Sequence, residues 1–292
     1  MTTLPVVAGV DGSPGSLAAA RWAAVEARSR RRPLRLVHAY RWPPNYGAAP
    51  MYATWPVVDE LEIKKGAQET VELAAEQIRA EYGSVEVEAV SVEGSRVPVL
   101  LAESERAALL VLGSRELGTV GSVLLGSVGA GVAARASCPV VVVRGPAGNP
   151  DEGAAVVAAV DGGETSAQVL EYAFQHAERY GVGVRVVLCW WAHLYRPAGW
   201  LTETYHQAQT RAEEWLSVAL AGFAEKYPTV PVTPMVMEEH AVDGLVAESM
   251  NAYLLVVGSH GRHALAGTLL GSVSQGVLHH ATCPVAVLPC HS

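Results

Sequence analysis

Four residues near the end of the chain have the types and spacing of a phosphate-binding loop: Gly258, Gly261, Gly271 and Ser272. They follow residues 254–257, a run of Leu and Val that is typical of a strand buried on both faces. Glycines directly after a strand allow backbone N–H groups to approach an anion, because no Cβ stands in the way. A Gly-Ser pair at the start of the next helix adds a hydroxyl and free N–H groups at the positive end of the helix dipole. The spacing therefore predicts that this segment binds a phosphate group.

A second, altered copy of this motif lies in the first half of the chain. Gly113 follows an apolar run, and Gly126 and Ser127 open the next helix, but Glu116 replaces the second glycine. A carboxylate about 4 Å from a phosphate costs roughly 1 kcal/mol in water and about 4 kcal/mol at an effective dielectric constant of 20. The neighbouring Arg115 offsets part of this charge, and Glu116 would do no harm if it pointed to solvent or bound Mg²⁺ through water. We expect the first site to bind phosphate more weakly than the second.

An aspartate ends the first apolar run of each half, Asp11 and Asp161, and the next residues are Gly12 and Gly162. In an open parallel sheet, ligands bind beyond the carboxyl ends of the strands, where the strand order reverses. If the first and fourth strands are neighbours, each aspartate meets the glycine loop of its own half at that point. Its carboxylate can then accept hydrogen bonds from ribose hydroxyls or a base edge, while the loop holds the phosphates. The alternative is that the aspartates only cap a helix or form a turn.

The chain contains two copies of one unit. Residues 6–12 match residues 156–162 at an offset of 150, and residues 109–114 match residues 254–259 at an offset of 145. Because such matches occur near both ends of the unit, they indicate a duplicated domain. A short segment rich in Gly and Pro separates the copies, so we predict two nucleotide-binding domains, residues 1–146 and 152–292.

Within each half, short apolar runs alternate with amphipathic segments, a pattern that predicts right-handed βαβ crossovers and a doubly wound α/β sheet. In the first half the predicted strands are Val6–Val10, Leu34–Ala39, Val85–Val90, Leu109–Leu112 and Val140–Val143. The predicted helices are Ser16–Arg28, Asp59–Glu81, Pro98–Ala107 and Ser127–Ala136.

The composition is that of a globular protein, since 50% of the 292 residues are hydrophobic and 17% are charged. The net charge of −8 argues against a general nucleic-acid-binding or membrane-binding surface, although one bound nucleotide needs only a local positive potential. The four cysteines form no C-x-x-C pair, and no apolar run approaches the roughly 18 residues of a membrane span. Together with the lack of a signal peptide, these features favour a cytoplasmic protein.

Other motifs in the chain do not predict catalysis. Residues 129–134 match a dinucleotide-binding pattern, but they lie inside a predicted helix rather than after a first strand. The chain has neither a G-x-x-x-x-G-K-[ST] loop nor a G-x-S-x-G elbow, and no general base is evident near the motif serines. His260 is expected near the phosphates, whereas His279 and His280 fall at a helix end, so we predict no metal site in the protein itself.

With these motifs the chain resembles the ATP-binding subgroup of the universal stress protein family, in its tandem form. That subgroup is marked by G-x2-G-x9-G-[ST], which the second half contains unchanged. The resemblance covers nearly the whole chain. It implies two Rossmann-like domains, each a five-stranded parallel sheet in the order 3-2-1-4-5 with helices on both faces. It also implies that ATP binds at the crevice and that dimers commonly form through the fifth strands.

The resemblance further implies which residues contact the nucleotide. In the second half these are Asp161, Gly162, Gly258, His260, Gly261, Gly271, Ser272, Val273 and Ser274. In the first half the corresponding candidates are Asp11, Gly12, Gly113, Arg115, Gly126, Ser127 and Val128. A residue that ends the second strand, Ala39 or Trp190, is expected to touch the adenine. The implied cofactor is ATP, bound together with Mg²⁺.

We therefore expect a cytoplasmic ATP-binding regulatory protein with little or no catalytic turnover. The family implies a role in stress survival, growth arrest or dormancy and an unidentified regulatory protein partner. We expect the two domains to pair within one chain, with a homodimer as the alternative. Two other functions stay open, a slow ATPase or nucleotidyl-transfer enzyme and a sensor of AMP or cyclic nucleotides.

Overall fold

The computed structural model describes residues 3–42, 60–116, 123–124, 126–144, 154–190, 205–261 and 270–290. The first half contains, in chain order, β1 (Val6–Gly9), α1 (Pro14–Arg30), β2 (Leu34–Tyr40), α2 (Glu60–Glu81), β3 (Val87–Glu93), α3 (Arg96–Ser104), β4 (Leu109–Gly113), β5 (Arg115–Glu116), β6 (Val123–Leu124), α4 (Ser127–Ala133) and β7 (Val140–Val143). The second half contains β8 (Ala155–Val160), α5 (Ser166–Tyr180), β9 (Gly183–Trp190), α6 (Tyr205–Lys226), β10 (Val232–Glu238), α7 (Ala241–Ser249), β11 (Ala252–Gly258), α8 (Ser272–His280) and β12 (Val285–Leu288).

Ten of these strands form one sheet in the order β10-β9-β8-β11-β12-β7-β4-β1-β2-β3. Within each half the strands are parallel and follow the order 3-2-1-4-5. The two halves join through their fifth strands, because β7 and β12 pair antiparallel with Val141 opposite Ala286. The predicted fold class, two tandem Rossmann-like α/β domains, is confirmed.

The central strands β1, β4, β7, β8 and β12 are almost continuously apolar because helices cover the sheet on both faces. In β1, Val6 and Ala8 pack into one hydrophobic cluster and Val7 packs into another, as the alternation of side chains along a strand requires. Residues of α1, α2, α5 and α6 complete the first cluster, and residues of α3, α4, α7 and α8 complete the second. This double burial leaves the strand ends as the place where polar groups can meet a ligand.

Two helices of the first half, α1 and α3, begin two residues earlier than the sequence predicted. At the start of α1, Ser13 Oγ accepts a hydrogen bond from Ser16 N at 3.2 Å, and Pro14 needs no N–H partner in the first turn. α3 begins at Arg96, with Ser95 in the N-cap position and the predicted first residue, a proline, inside the first turn. As a result, Arg96 lies at the N-terminal end of α3, next to the carboxyl edge of the sheet.

The third strand of the first half is Val87–Glu93 rather than Val85–Val90. The Val85 N–H donates to Tyr82 O at 2.9 Å in the turn after α2, so the chain enters the sheet two residues later. The ladder with β2 then continues to the last residue of both strands. The two-residue strands β5 and β6 form a separate antiparallel pair that was not predicted, because two residues are too few to show an alternation.

A buried charged cluster joins α1 to α5 across the two halves. Glu26, whose side chain is 1% exposed, accepts hydrogen bonds from Arg30 Nε at 2.6 Å and from Tyr180 Oη at 2.6 Å. His176 is fully buried, and its Nδ1 lies 3.7 Å from Glu26 Oε1. Since the repeat offset is 150 residues, Glu26 meets the residue that occupies its own position in the second half. A pair of identical halves would place two carboxylates at this point.

Aromatic rings surround His176 and exclude water from it. Trp22 and Tyr172 stack on the imidazole with centroid distances of 6.3 and 6.1 Å. The rings of Tyr180 and Tyr253 are tilted against it at 4.7 and 5.6 Å. Because water is absent from such a site, a positive charge on the imidazole is strongly disfavoured.

The charge states in this cluster follow from burial and from the neighbouring groups. Burial lowers the pKa of His176 to about 4, against the attraction of Glu26. Burial alone would raise the pKa of Glu26, but His176, Arg30 and the hydrogen bond from Tyr180 lower it below its usual range. At neutral pH the cluster therefore holds an ionised carboxylate, a guanidinium group and a neutral imidazole.

We expect His176 to remove about 2 kcal/mol from the free energy of unfolding between pH 7 and pH 5. The unfolded chain protonates a histidine near an ordinary pKa of about 6.5, whereas native His176 stays neutral down to a pKa of about 4. Unfolding therefore takes up a proton in this window, so acid favours it. His176→Phe keeps a ring in the stack without titrating. Urea unfolding at both pH values should show that acid lowers the free energy of unfolding of the variant by about 2 kcal/mol less than that of the wild-type chain. An equal loss in both proteins would contradict the assignment.

Candidate nucleotide-binding site

An open crevice lies at the carboxyl ends of β1, β2 and β4 in the first half. Five of the residues predicted from the sequence line it: Asp11, Ala39, Gly113, Gly126 and Val128. The wall also carries polar side chains that were not among the predicted nucleotide contacts: Ser13, Ser16, Arg96 and Ser114. Arg96 was missed because a single arginine after a strand carries no motif, and its position depends on where α3 begins.

Asp11 is held by the residues that start α1. Ser13 donates to Asp11 Oδ1 from its N–H at 3.2 Å and from its hydroxyl at 2.6 Å. The helix cap is Ser13, so Asp11 forms the turn but does not cap the helix. Burial would raise the pKa of Asp11, but hydrogen bonds from Ser13 and Ser16 and the charge of Arg96 lower it below its ordinary value. An ionised carboxylate of this kind accepts hydrogen bonds from hydroxyl groups such as those of a ribose.

Glycine is required next to both aspartates, because Gly12 has a φ of 80° and Gly162 a φ of 77°. The first glycine of each motif has a different reason. A Cβ on Gly113 would overlap the carbonyl oxygen of Gly15, and a Cβ on Gly258 would lie 2.6 Å from Thr165 Oγ1. These two glycines therefore let the end of the fourth strand pack against the start of the helix that follows the first strand.

In the second half the aspartate and the glycine loop lie in contact. Gly163 N donates to Asp161 Oδ1 at 2.8 Å, and Ser166 Oγ donates to the same oxygen at 3.3 Å. A Cβ on Gly261 would lie 2.6 Å from the other carboxylate oxygen, Oδ2. The two residues meet because β8 and β11, which precede them, are neighbours in the sheet.

Hydrogen bonds fix the backbone of the second loop. Ser274 Oγ donates to Gly258 O at 2.5 Å, and Gly271 N donates to Ser259 O at 2.8 Å. Both serines are buried, and the Ser274 hydroxyl joins α8 to the end of β11, where the loop begins. His260 is half-buried, with its Nδ1 3.2 Å from Ser259 Oγ. Ser274 was predicted to contact the nucleotide, and in this geometry its hydroxyl positions the loop.

Both helices after the glycine loops begin where the motif places them. α8 starts at Ser272 and α4 at Ser127, each directly after a glycine in the N-cap position. No side chain caps either helix start. The first turn of α8, which contains the exposed Ser272 and the half-buried Val273, therefore keeps N–H groups that can donate to an anion.

The departure from the motif in the first half falls on β5. Arg115 and Glu116 form this strand, and their side chains lie outside the part of the chain that the structure describes. The expected weakening of the first site by Glu116 therefore stays a prediction.

The adenine contact predicted at the end of the second strand needs one correction. Ala39 lines the crevice and packs with Val37 against the second hydrophobic cluster. Trp190 packs against the first cluster, on the opposite face of the sheet. The ladders β1–β2 and β8–β9 have the same register at the offset of 150, so the counterpart of Ala39 is Cys189, which packs on the second cluster. A shift of one residue along a strand reverses the face, and Cys189 replaces Trp190 as the candidate.

The remaining histidine pair lies away from the loop, because His279 and His280 occupy the last turn of α8. Within the described ranges, no group of three or more His, Cys, Asp and Glu side chains is placed to hold a metal ion. A search of the same ranges finds no helix with the length and apolar character needed to cross a bilayer.

Comparisons with known proteins show the family and the fold of the chain. The model of the universal stress protein family matches residues 3–144 and 154–289. A universal stress protein of Mycobacterium tuberculosis is 39% identical over 290 residues, which cover 97% of this chain and 96% of that protein. A second one from the same strain is 34% identical over 297 residues, which cover 98% and 96%. The crystal structure of a universal stress protein from Archaeoglobus fulgidus shares the fold, with a TM-score of 0.70 over 99% of each chain at 17% identity.

Proposed function

The chain belongs to the universal stress protein family, and on that premise we propose that it is an ATP-binding regulatory protein with little or no catalytic turnover. The observation that carries the proposal is the meeting of the strand-end aspartate with the glycine loop. Asp161 lies against Gly261 in the second half, and Asp11 shares one crevice with Gly113 in the first. This arrangement offers a carboxylate to a sugar and backbone N–H groups to phosphates at one edge of the sheet.

Each part of ATP meets groups of suitable chemistry in this proposal. The carboxylate of Asp11 or Asp161 accepts hydrogen bonds from ribose hydroxyls. The glycine loop and the first turn of α8 donate backbone N–H groups to phosphate oxygens. Ala39 and Cys189 offer small surfaces against which the base can lie. A Mg²⁺ ion that accompanies ATP would be bound mainly by phosphate oxygens and water, which is its usual coordination beside nucleotides.

The side chains near the loop favour binding over hydrolysis. Hydrolysis requires a group that activates water or serves as a nucleophile. Among the loop residues that the structure describes, Ser259 and His260 come nearest to such a pair, with Oγ and Nδ1 3.2 Å apart. Ser259 is only 3% exposed, however, and its hydroxyl accepts the N–H of Cys290 at 3.1 Å. The pair is thus bound into the structure and is poorly placed to act on a phosphate.

We propose that each domain, residues 1–146 and 152–292, carries one site and that the protein acts in the cytoplasm. The four cysteines are free thiols, which suits a reducing compartment. A ligand that binds only the native state stabilises it by RT ln(1 + [L]/Kd). The folded population, and any surface that recognises a regulatory partner, would therefore respond to the ATP level during stress.

The nucleotide content of the purified protein tests this function. The protein is isolated without added nucleotide and denatured, and the released adenine nucleotides are quantified per chain by chromatography. We expect between one and two ATP per chain, with two showing that Glu116 is tolerated. A monophosphate or cyclic nucleotide in place of ATP would favour a sensor, and steady release of ADP during incubation would favour an ATPase. No bound nucleotide, together with no heat of ATP binding in the presence of Mg²⁺, would rule out the proposal.

A further inference from the structure

The two crevices differ in charge at the residue that begins the helix after the third strand. In the first half this residue is Arg96, which begins α3 and lines the crevice. In the second half the equivalent residue, at the offset of 145, is Ala241, which begins α7. At this position the first half therefore has a cation, and the second half has an uncharged residue.

Arg96 lines the crevice together with Asp11 and the glycines Gly113 and Gly126. The next residue, Val97, has its side chain 3.6 Å from the point that a Cβ on Gly131 would occupy in α4. The start of α3 thus lies beside the first turns of α4, the helix that follows the glycine loop. On the other side, the positive charge of Arg96 helps to lower the pKa of Asp11, after the hydrogen bonds from Ser13 and Ser16. The guanidinium group is exposed, and no ion pair within the described ranges holds it.

The second half has a negative group near the start of α7. Glu239 Oε2 lies 3.3 Å from the point that a Cβ on Gly244 would occupy, and Cys189 Sγ lies 3.3 Å from that point as well. Cys189 is the counterpart of Ala39, which lines the first crevice. Burial raises the pKa of Cys189 to about 11, and the charge of Glu239 adds to this effect. At the position of Glu239 the first half has Gly94.

We propose that Arg96 is a specificity-determining residue of the first site, where it favours nucleotides with more phosphate charge, and that the second site discriminates less. This inference rests on the proposed function, because it assumes that the crevices bind adenine nucleotides. A guanidinium group forms strong charge-assisted hydrogen bonds with phosphate oxygens and never loses its charge at physiological pH. A triphosphate profits from such a group more than a monophosphate does. Arg96 would in this way offset the repulsion between Glu116 and the phosphates at the first site.

The test compares ATP and AMP binding at the first site alone. Gly261→Glu, in the full-length chain, places a carboxylate against Asp161 and thereby closes the second site. In this background, calorimetry gives the Kd of ATP and of AMP for the chain that keeps Arg96 and for the variants Arg96→Lys and Arg96→Ala. We expect Arg96→Ala to reduce the preference for ATP over AMP about tenfold, as loss of a charged hydrogen bond would, and Arg96→Lys to keep most of it. The salt dependence of ATP binding should fall in the alanine variant.

Arg106→Ala is the matched control, because Arg106 is exposed just beyond the opposite end of α3 and its loss changes the net charge equally. It should leave the preference for ATP unchanged. The inference would be overturned if the Arg96→Ala chain preferred ATP over AMP as strongly as the chain that keeps Arg96. Circular dichroism must show that both chains are folded. A Gly261→Glu chain that binds no ATP while the wild-type chain binds it would also overturn the inference, since the first site would then be closed to ATP. A wild-type chain that binds no adenine nucleotide would instead refute the proposed function itself.

Discussion

Glu26→Ala is expected to lower the free energy of unfolding by about 3–5 kcal/mol, the largest effect on stability that we predict for a single substitution. The carboxylate of Glu26 is the common partner of Arg30 and Tyr180. Its removal leaves the largely buried guanidinium of Arg30 without its ion pair and Tyr180 Oη with only a bond of 3.3 Å to Ser29. Burying a charge without a partner costs several kcal/mol. Urea unfolding at pH 7 measures the loss.

The exposed pair Arg21–Glu81 provides the control for this prediction. It joins α1 to the last residue of α2, with Arg21 Nε and Glu81 Oε2 2.8 Å apart and with side chains 37% and 38% exposed. Exposed ion pairs contribute about 0–1 kcal/mol, so Glu81→Ala should change the urea midpoint little. Equal losses in Glu26→Ala and Glu81→Ala would mean that the buried cluster does not stabilise the junction of the two halves.

Glu26 also shows what a duplicated chain can do that a symmetric dimer cannot. After duplication the two copies of one position can diverge, and here they have become a carboxylate and a neutral imidazole that lie together. Two identical first halves would bring two glutamates together at this point, which is unfavourable in a buried site. The cluster thus favours pairing of unlike halves, in addition to the β7–β12 ladder.

The sheet and the location of the candidate site could be predicted from the sequence because both depend on short-range patterns. Continuous apolar runs such as Leu109–Leu112 mark strands that are covered on both faces. Segments that recur at fixed offsets along the chain predicted the two halves. The meeting of Asp161 with Gly261 follows from the strand order, since the first and fourth strands of a doubly wound sheet are neighbours.

The features that escaped prediction depend on contacts between distant residues or on a single residue of register. Glu26 and His176 are 150 positions apart and occupy ordinary helical positions, so only the association of the halves buries them. Trp190 and Cys189 are neighbours in sequence, yet the pleat of β9 places them on opposite faces of the sheet. Arg96 enters the crevice because α3 begins two residues earlier than its proline suggested.

Gly261→Ala is expected to weaken ATP binding at the second site about a hundredfold while lowering the stability of the nucleotide-free protein by only about 1 kcal/mol. The added Cβ would lie 2.6 Å from Asp161 Oδ2, so the carboxylate must move. Its other oxygen is held by Gly163 N at 2.8 Å, and a shift breaks the alignment that the proposed ribose contact needs. A charged hydrogen bond contributes about 1.5–3 kcal/mol, which accounts for most of the expected loss. Calorimetric titration with ATP and Mg²⁺ measures it.

Gly222→Ala separates this local effect from a general effect of replacing glycine. Gly222 lies in α6 with no atom within 4 Å of its ideal Cβ position. Alanine there should stabilise the helix by about 0.5–1 kcal/mol and leave ATP binding unchanged. If Gly261→Ala bound ATP as tightly as Gly222→Ala, the nucleotide could not depend on the position of the Asp161 carboxylate. The contact between the strand-end aspartate and the glycine loop would then be a feature of packing alone, and the case for an ATP site at this edge of the sheet would lose its main support.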